Sequence, residues 1–264
     1  MSRKSCKKQL KKTIIYHDEL NDEFSSAVIT PRKIDGNYLY ERTEGMRRIL
    51  HIFWYRIIAL PMAFVYLKLV HRHKIIGREK IKKERGACFI YGNHTQATAD
   101  ALIPTFLSFP RPASIVVHPN NVSMKFLGRI TPYMGALPLP DDMDATRNFS
   151  AIIKKRTEQK RPVFIYPEAH IWPYYTSVRP FGDASFSYPV KYGTAVFCFT
   201  NTYHKKGRRK RPRIISYIDG PFYPDETLSP RDRRQDLRNK VYAAMTERAA
   251  LSDVEFIKYV DGRE

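Results

Sequence analysis

Residues 91–100 read YGNHTQATAD. An imidazole followed closely by a carboxylate has a chemical use. The acid accepts the proton of one ring nitrogen, which fixes the tautomer and leaves the other nitrogen free as a base. Such a base can take the proton of a substrate hydroxyl, an effect typically worth about 10²–10⁴ in rate. Five residues separate His94 from Asp100, so on one regular helix the two side chains would point in different directions. The pair forms only if His94 lies in a turn at the end of a strand and Asp100 in the first turns of the next helix. The same ten residues also suit an architectural reading, in which Asn93 or Thr95 caps a helix, His94 is a surface side chain and Asp100 faces the helix dipole. A second carboxylate, Glu168, follows the apolar run PVFIYP at 162–167. A loop just past a strand end is where open α/β sheets place ligands, although an isolated Pro-Glu also suits a solvated turn. GALPLP at 135–140 follows a basic segment carrying Lys125 and Arg129, and reads as a loop with a short strand.

These residues need elements to hold them. ACFIYG (87–92), SIVVH (114–118), PVFIYP (162–167), TAVFCFT (194–200) and RIISYI (213–218) are short, β-branched or aromatic, and bounded by breakers, so each predicts a strand. A further short strand fits Thr13 to Tyr16. Between the strands, Ala145, Phe149, Ile152 and Ile153 share one helical face of 144–158. Ser229, Pro230 and Asp232 form a helix start, followed by an apolar face of Leu237, Val241, Ala244 and Met245. Apolar strands without alternation, separated by helices, predict an α/β fold: a single domain with a largely buried mixed sheet flanked by helices. Cys88 and Cys198 fall inside strand-like runs and read as core side chains, not nucleophiles.

The chain has 264 residues, with 46 Lys and Arg against 26 Asp and Glu, a net charge of +20. That balance predicts an anionic partner. Basic runs open the chain (MSRKSCKKQLKK), follow an apolar stretch (HRHK, 71–74) and fill 205–213 (KKGRRKRPR). No RNA-binding, helix-turn-helix or zinc-finger pattern accompanies them, so nucleic acid is the weaker partner class and an anionic membrane face the stronger. Three widely spaced cysteines exclude a disulfide scaffold and fit a reducing compartment. The eight histidines show no metal-ligand spacing, and no metal or cofactor is predicted. Residues 49–70, ILHIFWYRIIALPMAFVYLKLV, form the most apolar stretch. Their uninterrupted core, Ile57 to Leu67, would rise only about 16 Å as a helix, against about 30 Å of hydrocarbon, and Pro61 would kink it. A helix or bent pair lying in or dipping into one leaflet is therefore predicted. Trp54, Tyr55 and Tyr66 would sit at the interface, and Arg56, Lys68 and His71 to Lys74 toward headgroups. The predicted organisation is a polar extension (1–44), an apolar membrane-contacting segment (45–74), the main domain (75–250) and a short tail (251–264). Association is expected to be peripheral or monotopic, on the cytoplasmic face.

Taken in order, these pieces resemble the glycerolipid acyltransferase family, which includes the 1-acylglycerol-3-phosphate acyltransferases. Asn93-His94 and Asp100 look like its NH-x4-D block with one extra residue. Gly135-Ala136-Leu137-Pro138-Leu139 look like its G-x-[IV]-P-[VI]-x-R block, and Tyr166-Pro167-Glu168 like its FPEGTRS block. Residues 179–181 through 194–196 occupy the place of the V-P-[VI] block, and IIGREKI (75–81) resembles the segment that precedes the first. The resemblance covers roughly residues 50–250. It implies transfer of a fatty acyl group from acyl-CoA or acyl-carrier protein to a hydroxyl of a glycerol phosphate or lysophospholipid-type acceptor. His94 would be the general base, Asp100 its partner, and backbone N–H groups near a helix start would hold the oxyanion. Asn93, Pro167, Glu168 and Gly135 are carried over as substrate-binding positions. The arginines of the second and third blocks are replaced here by other residues. Lys125, Arg129 or Arg179 are the candidates to hold an acceptor phosphate in their stead, and a non-phosphorylated or unusual acceptor is the alternative. A non-catalytic basic protein that binds membrane or nucleic acid on the same fold is the reading from a different class.

Overall fold

Seven strands form one sheet whose centre is wholly apolar. The computed structural model describes residues 12–24, 29–207 and 211–263. Most of the N-terminal basic run, Cys6, and residues 208–210 of the third basic run lie outside them. The strands are β2 (Lys74–Ile76), β3 (Cys88–Gly92), β4 (Ser114–Val117), β5 (Ala136–Pro138), β6 (Pro162–Ile165), β7 (Ala195–His204) and β8 (Arg213–Phe222), in the order β2-β8-β7-β3-β6-β4-β5. All neighbours are parallel except β7 and β8, which pair antiparallel. Every residue of β3 and β6 is buried, as expected for parallel strands covered on both faces. The short β2 and β5 form the edges, which limits the unpaired backbone they present.

Helices cover both faces. On one, α3 (Met143–Glu158) and α4 (Pro230–Ala249) pack Phe149, Ile152, Ile153, Leu237, Val241 and Met245 against Phe89, Tyr91 and Val163. Ser229 caps α4 by accepting the Asp232 N–H, as its sequence predicts. On the other face, α1 (Arg47–Leu69) and α2 (Ala99–Ser108) pack Ala63, Leu67, Leu102 and Ile103 against Ile90, Phe164 and Phe197.

Helix α1 is one continuous helix of 23 residues, not a bent pair. Residues Phe53–Ala59 are π-helical, and the wider turn lets the Leu60 N–H reach the Tyr55 carbonyl just ahead of Pro61. Only a narrow stripe is buried: His51, Tyr55, Ala59, Ala63 and Leu67. The stripe advances in steps of four, and the π segment absorbs the drift such a step would have at 3.6 residues per turn. The Tyr55 hydroxyl accepts the Ala113 N–H at 2.7 Å, and His51 Nδ1 lies 2.7 Å from the Tyr133 carbonyl. The rest of the helix is apolar and open, with Ile49 72%, Phe64 52% and Leu69 67% exposed.

The two histidines of the HRHK run do not join a basic flank, which is left to Arg72 and Lys74. His71 and His73 are buried, each only 2% exposed, because the turn after α1 folds back on β8. Burial pushes His71 down to about 4 and His73 down to about 3, so both rings are neutral. An unfolded histidine titrates near 6.5. The unfolded chain therefore binds more protons than the native one as pH falls from about 6.5 toward 3. The stability these rings confer is complete above that window and lost within it, on the order of a few kcal/mol in total. Denaturant midpoints measured across the window should fall steadily, and His73→Leu should flatten the fall.

The chain ends belong to the same body. β1 (Lys12–Tyr16) pairs parallel with β9 (Ile257–Asp261), so the predicted extension and tail are joined in a second, two-stranded sheet. Ile34 and Tyr40 enter the main core.

Candidate active site

His94 and Asp100 meet. β3 ends at Gly92, residues 93–98 form an irregular turn, and α2 begins at Ala99. The extra residue is taken up in that turn. The Gln96 carbonyl accepts the Asp100 N–H at 3.0 Å, while Asp100 Oδ2 accepts the Gln96 N–H at 2.8 Å. Asp100 thereby closes its own turn and points back at His94, whose Nδ1 lies 2.9 Å from Oδ2. A carboxylate at that distance accepts a hydrogen bond from Nδ1–H, so in the neutral ring Nε2 is the unprotonated nitrogen. The ring stacks on Tyr166 with centroids 4.5 Å apart, and its side chain is 17% exposed.

Asp100 is buried, which pushes its carboxyl upward. The His94 ring and the Gln96 and Thr95 backbone N–H groups act in the opposite direction. On its far side, Oδ1 accepts the Asn201 amide at 3.1 Å. Asn201 Oδ1 accepts the Ser216 hydroxyl at 2.5 Å, and His73 Nε2 lies 2.7 Å from that hydroxyl oxygen. Since Ser216 spends its one proton on Asn201, His73 must donate at Nε2. The result is a directed row of donors, His73 to Ser216 to Asn201 to Asp100, running through β8 and β7. The groups that face Asp100 from neighbouring elements are His94, Tyr166 and Tyr203. Hydrogen bonds to a charged group are worth about 1.5–3 kcal/mol. Asn201→Leu should therefore lower stability at neutral pH, read as a lower denaturant midpoint, because ionised Asp100 loses a buried donor.

The remaining predicted site residues separate into three groups. Pro167 lines the same cleft as His94. Asn93, Glu168 and Arg179 lie behind it. The Asn93 amide donates to the Asn201 carbonyl at 3.1 Å and accepts the Asn201 N–H at 2.8 Å, which ties the end of β3 to β7. Glu168 has a fully buried side chain. It accepts the backbone N–H groups of His94 at 3.1 Å and Arg179 at 3.2 Å, and its carboxylate lies 3.6 Å from the Arg179 guanidinium. Arg179 in turn donates to the carbonyls of His170, Glu168 and Glu19 and lies over Trp172. Burial pushes Glu168 up and Arg179 down, and each opposes the other's shift. The pair holds the His94 backbone to the 166–179 loop, and neither side chain is free for an acceptor. Gly135, Lys125 and Arg129 are elsewhere. Gly135 has φ +97° at the start of β5, where a Cβ would sit 2.3 Å from the Ala113 carbonyl oxygen, so it serves a turn. Lys125 and Arg129 are exposed between β4 and β5 and do not line the cleft.

Several positioning residues escaped sequence reasoning. Trp172 donates its backbone N–H to the His94 carbonyl, and its indole donates to the Asp22 carbonyl while stacking on Tyr259 of β9. Ala169 sits at φ +63°, in the turn where the resembled block has glycine. For Asn201, the visible signal was a polar Asn-Thr pair interrupting an otherwise apolar strand.

The cleft, of about 480 Å³, opens at the carboxyl ends of β3, β4 and β6. Its walls are Ile115, Val117, Leu139, Phe149 and Ile165, with His118, Asn121, Ser185 and Tyr188 as polar points. Among the described residues no Lys or Arg lines it. An imidazole held this way at an apolar cleft can accept a hydroxyl proton at Nε2.

The seven-stranded sheet with helices on both faces is the fold of a solved glycerolipid acyltransferase. One solved structure to which the chain is similar is the 1-acyl-sn-glycerophosphate (LPA) acyltransferase PlsC from Thermotoga maritima, at 17% identity and a TM-score of 0.50 over 76% of this chain and 78% of that one. No family model and no curated protein matches the sequence.

Proposed function

We propose that the protein is an interfacial O-acyltransferase that moves a fatty acyl group from a thioester, acyl-CoA or acyl-carrier protein, to a hydroxyl of a glycerol phosphate or lysophospholipid-type acceptor. The observation that carries this reading is the His94–Asp100 pair, 2.9 Å apart, at an apolar cleft on this fold. His94 Nε2 takes the acceptor's proton as its oxygen attacks the thioester carbonyl. The tetrahedral intermediate collapses, the C–S bond breaks, and the departing sulfur takes the proton from the imidazolium. Asp100 stays ionised throughout and stabilises the charged ring. The apolar walls suit an acyl chain. The open face of α1 supports a membrane-surface location, where long acyl chains partition.

One observation favours a second reading of the acceptor. A phosphate calls for charged or bidentate donors, yet Arg179 is committed to Glu168 while Lys125 and Arg129 lie outside the cleft. A non-phosphorylated alcohol fits these walls equally well. Thiol release from acyl-CoA with a panel of acceptors tests both. Release that requires glycerol phosphate or a lysophospholipid supports the first reading, and release with neutral alcohols alone supports the second. Salt-sensitive binding of nucleic acid with no thiol release would instead mark a non-catalytic protein.

A further inference from the structure

A second cleft, of about 590 Å³, lies at the opposite pole of the sheet. Pro112 and Arg161, which line it, immediately precede β4 and β6, whose other ends carry His118 and Tyr166 of the first cleft. A four-residue strand spans about 13 Å, so the two clefts are separated by the length of the sheet. Three guanidinium groups converge on the second one: Arg48 and Arg56 from α1, and Arg161. Among the described residues none of the three forms an ion pair. The neighbouring carboxylates are already engaged, Glu44 by Lys155 at 2.5 Å and by the Gln159 amide, Glu41 by Arg156 at 3.0 Å and Lys155 at 3.1 Å. Counting all of these groups, the cations exceed the carboxylates by three. His51, also in the wall, is buried and adds no charge, since burial lowers its pKa. Arg56 is fixed by donating to the Pro110 carbonyl at 2.6 Å and lies beside the rings of Tyr55 and Phe109. Arg161 is half-buried, and burial together with Arg156 brings it down to about 10 against the opposing pull of Glu41 and of Glu44, which also lines the cleft.

Gathering three unpaired guanidinium groups in one partly desolvated cleft is unfavourable unless an anion answers them. We propose that this cleft binds a phosphate group, and that its source is the headgroup of an anionic lipid. Phosphate geometry matches the planar donor fork of arginine. The lipid source follows from the wall itself. Ile52 of α1 lines the cleft, and Ile49 and Phe53 beside it are exposed. A headgroup held by the arginines would leave its acyl chains along the open apolar face of α1. This site does not depend on acyl transfer at the other pole.

The test compares the full-length wild type with R48Q/R161Q and with a charge-matched control, K82Q/K83Q, whose lysines are exposed on a short helix outside the cleft. Flotation uses vesicles of phosphatidylcholine alone and of phosphatidylcholine with phosphatidylglycerol. A basic residue near an anionic surface contributes several-fold to binding, so removing two is expected to weaken binding to anionic vesicles by about ten-fold or more. Binding to neutral vesicles should be unchanged, and the control should bind as wild type. An equal loss in the control, or no loss in R48Q/R161Q at the wild-type melting temperature, overturns the site. Should inorganic phosphate stabilise the wild type but not R48Q/R161Q, with vesicle binding the same in both, the lipid source is overturned in favour of a soluble phosphate. If R48Q/R161Q does not fold, R48Q, on an exposed side chain, is read by the same criteria.

Discussion

In His94→Ala, acceptor-dependent thiol release should fall about 10²–10⁴-fold, the usual worth of a positioned general base, with little change in melting temperature. The two halves of that result have separate causes. Asp100 keeps the Gln96 N–H and the Asn201 amide when the ring is gone, so no buried carboxylate is orphaned. The lost interaction develops only as the acceptor proton moves, so kcat should fall while the KM for the acyl donor stays nearly constant. A loss confined to KM would mean that His94 binds substrate and does not move a proton.

Glu168→Ala should produce the largest loss of stability. It strands the Arg179 guanidinium in a site where both side chains are almost fully buried, and it removes the acceptor for two backbone N–H groups. Breaking a buried pair from one side typically costs about 3–5 kcal/mol, which for a chain of this size lowers the melting temperature by roughly 10 °C. Activity should fall as well, since one of the freed N–H groups belongs to His94. Replacing both partners, as in Glu168→Leu with Arg179→Met, should recover much of the stability, because the desolvation cost disappears with the charges. It should not recover the rate, because the His94 backbone remains untied. A melting curve for Glu168→Ala that overlays the wild type would show that the pair does not hold this loop.

The sheet was legible because its strands are local and chemically plain. Unbroken apolar runs bounded by breakers can hardly be anything else in an α/β chain, and β3, β4, β6, β7 and β8 all lie where those runs fall. β7 runs past its apolar core through Asn201 and Thr202 to His204, and β8 runs on to Phe222. The extension of β7 hid Asn201, and Ser216, though inside a predicted strand, carried no local sign of its partners on other segments. The His94–Asp100 geometry was legible only as a condition, namely a turn before the helix, and the Gln96 hydrogen bonds meet it. The roles of Asn93, Glu168 and Arg179 were not legible. A polar residue beside a strand end faces either the cleft or the interior, and here long-range partners turn all three inward. The pairing of β1 with β9 was equally hidden, being a contact between the two ends of the chain. The HRHK run shows the same limit, as a string of basic letters includes two rings that burial keeps neutral.

The most direct measurement sets kcat/KM for acyl transfer against pH in the wild type beside the NMR titration of the His94 ring in the free protein. If His94 is the base that takes the acceptor's proton, the acid limb of the rate should coincide with the gain of the ring's second proton. A rate that is indifferent to the ring's protonation, or a limb whose midpoint departs from the ring's, would contradict it.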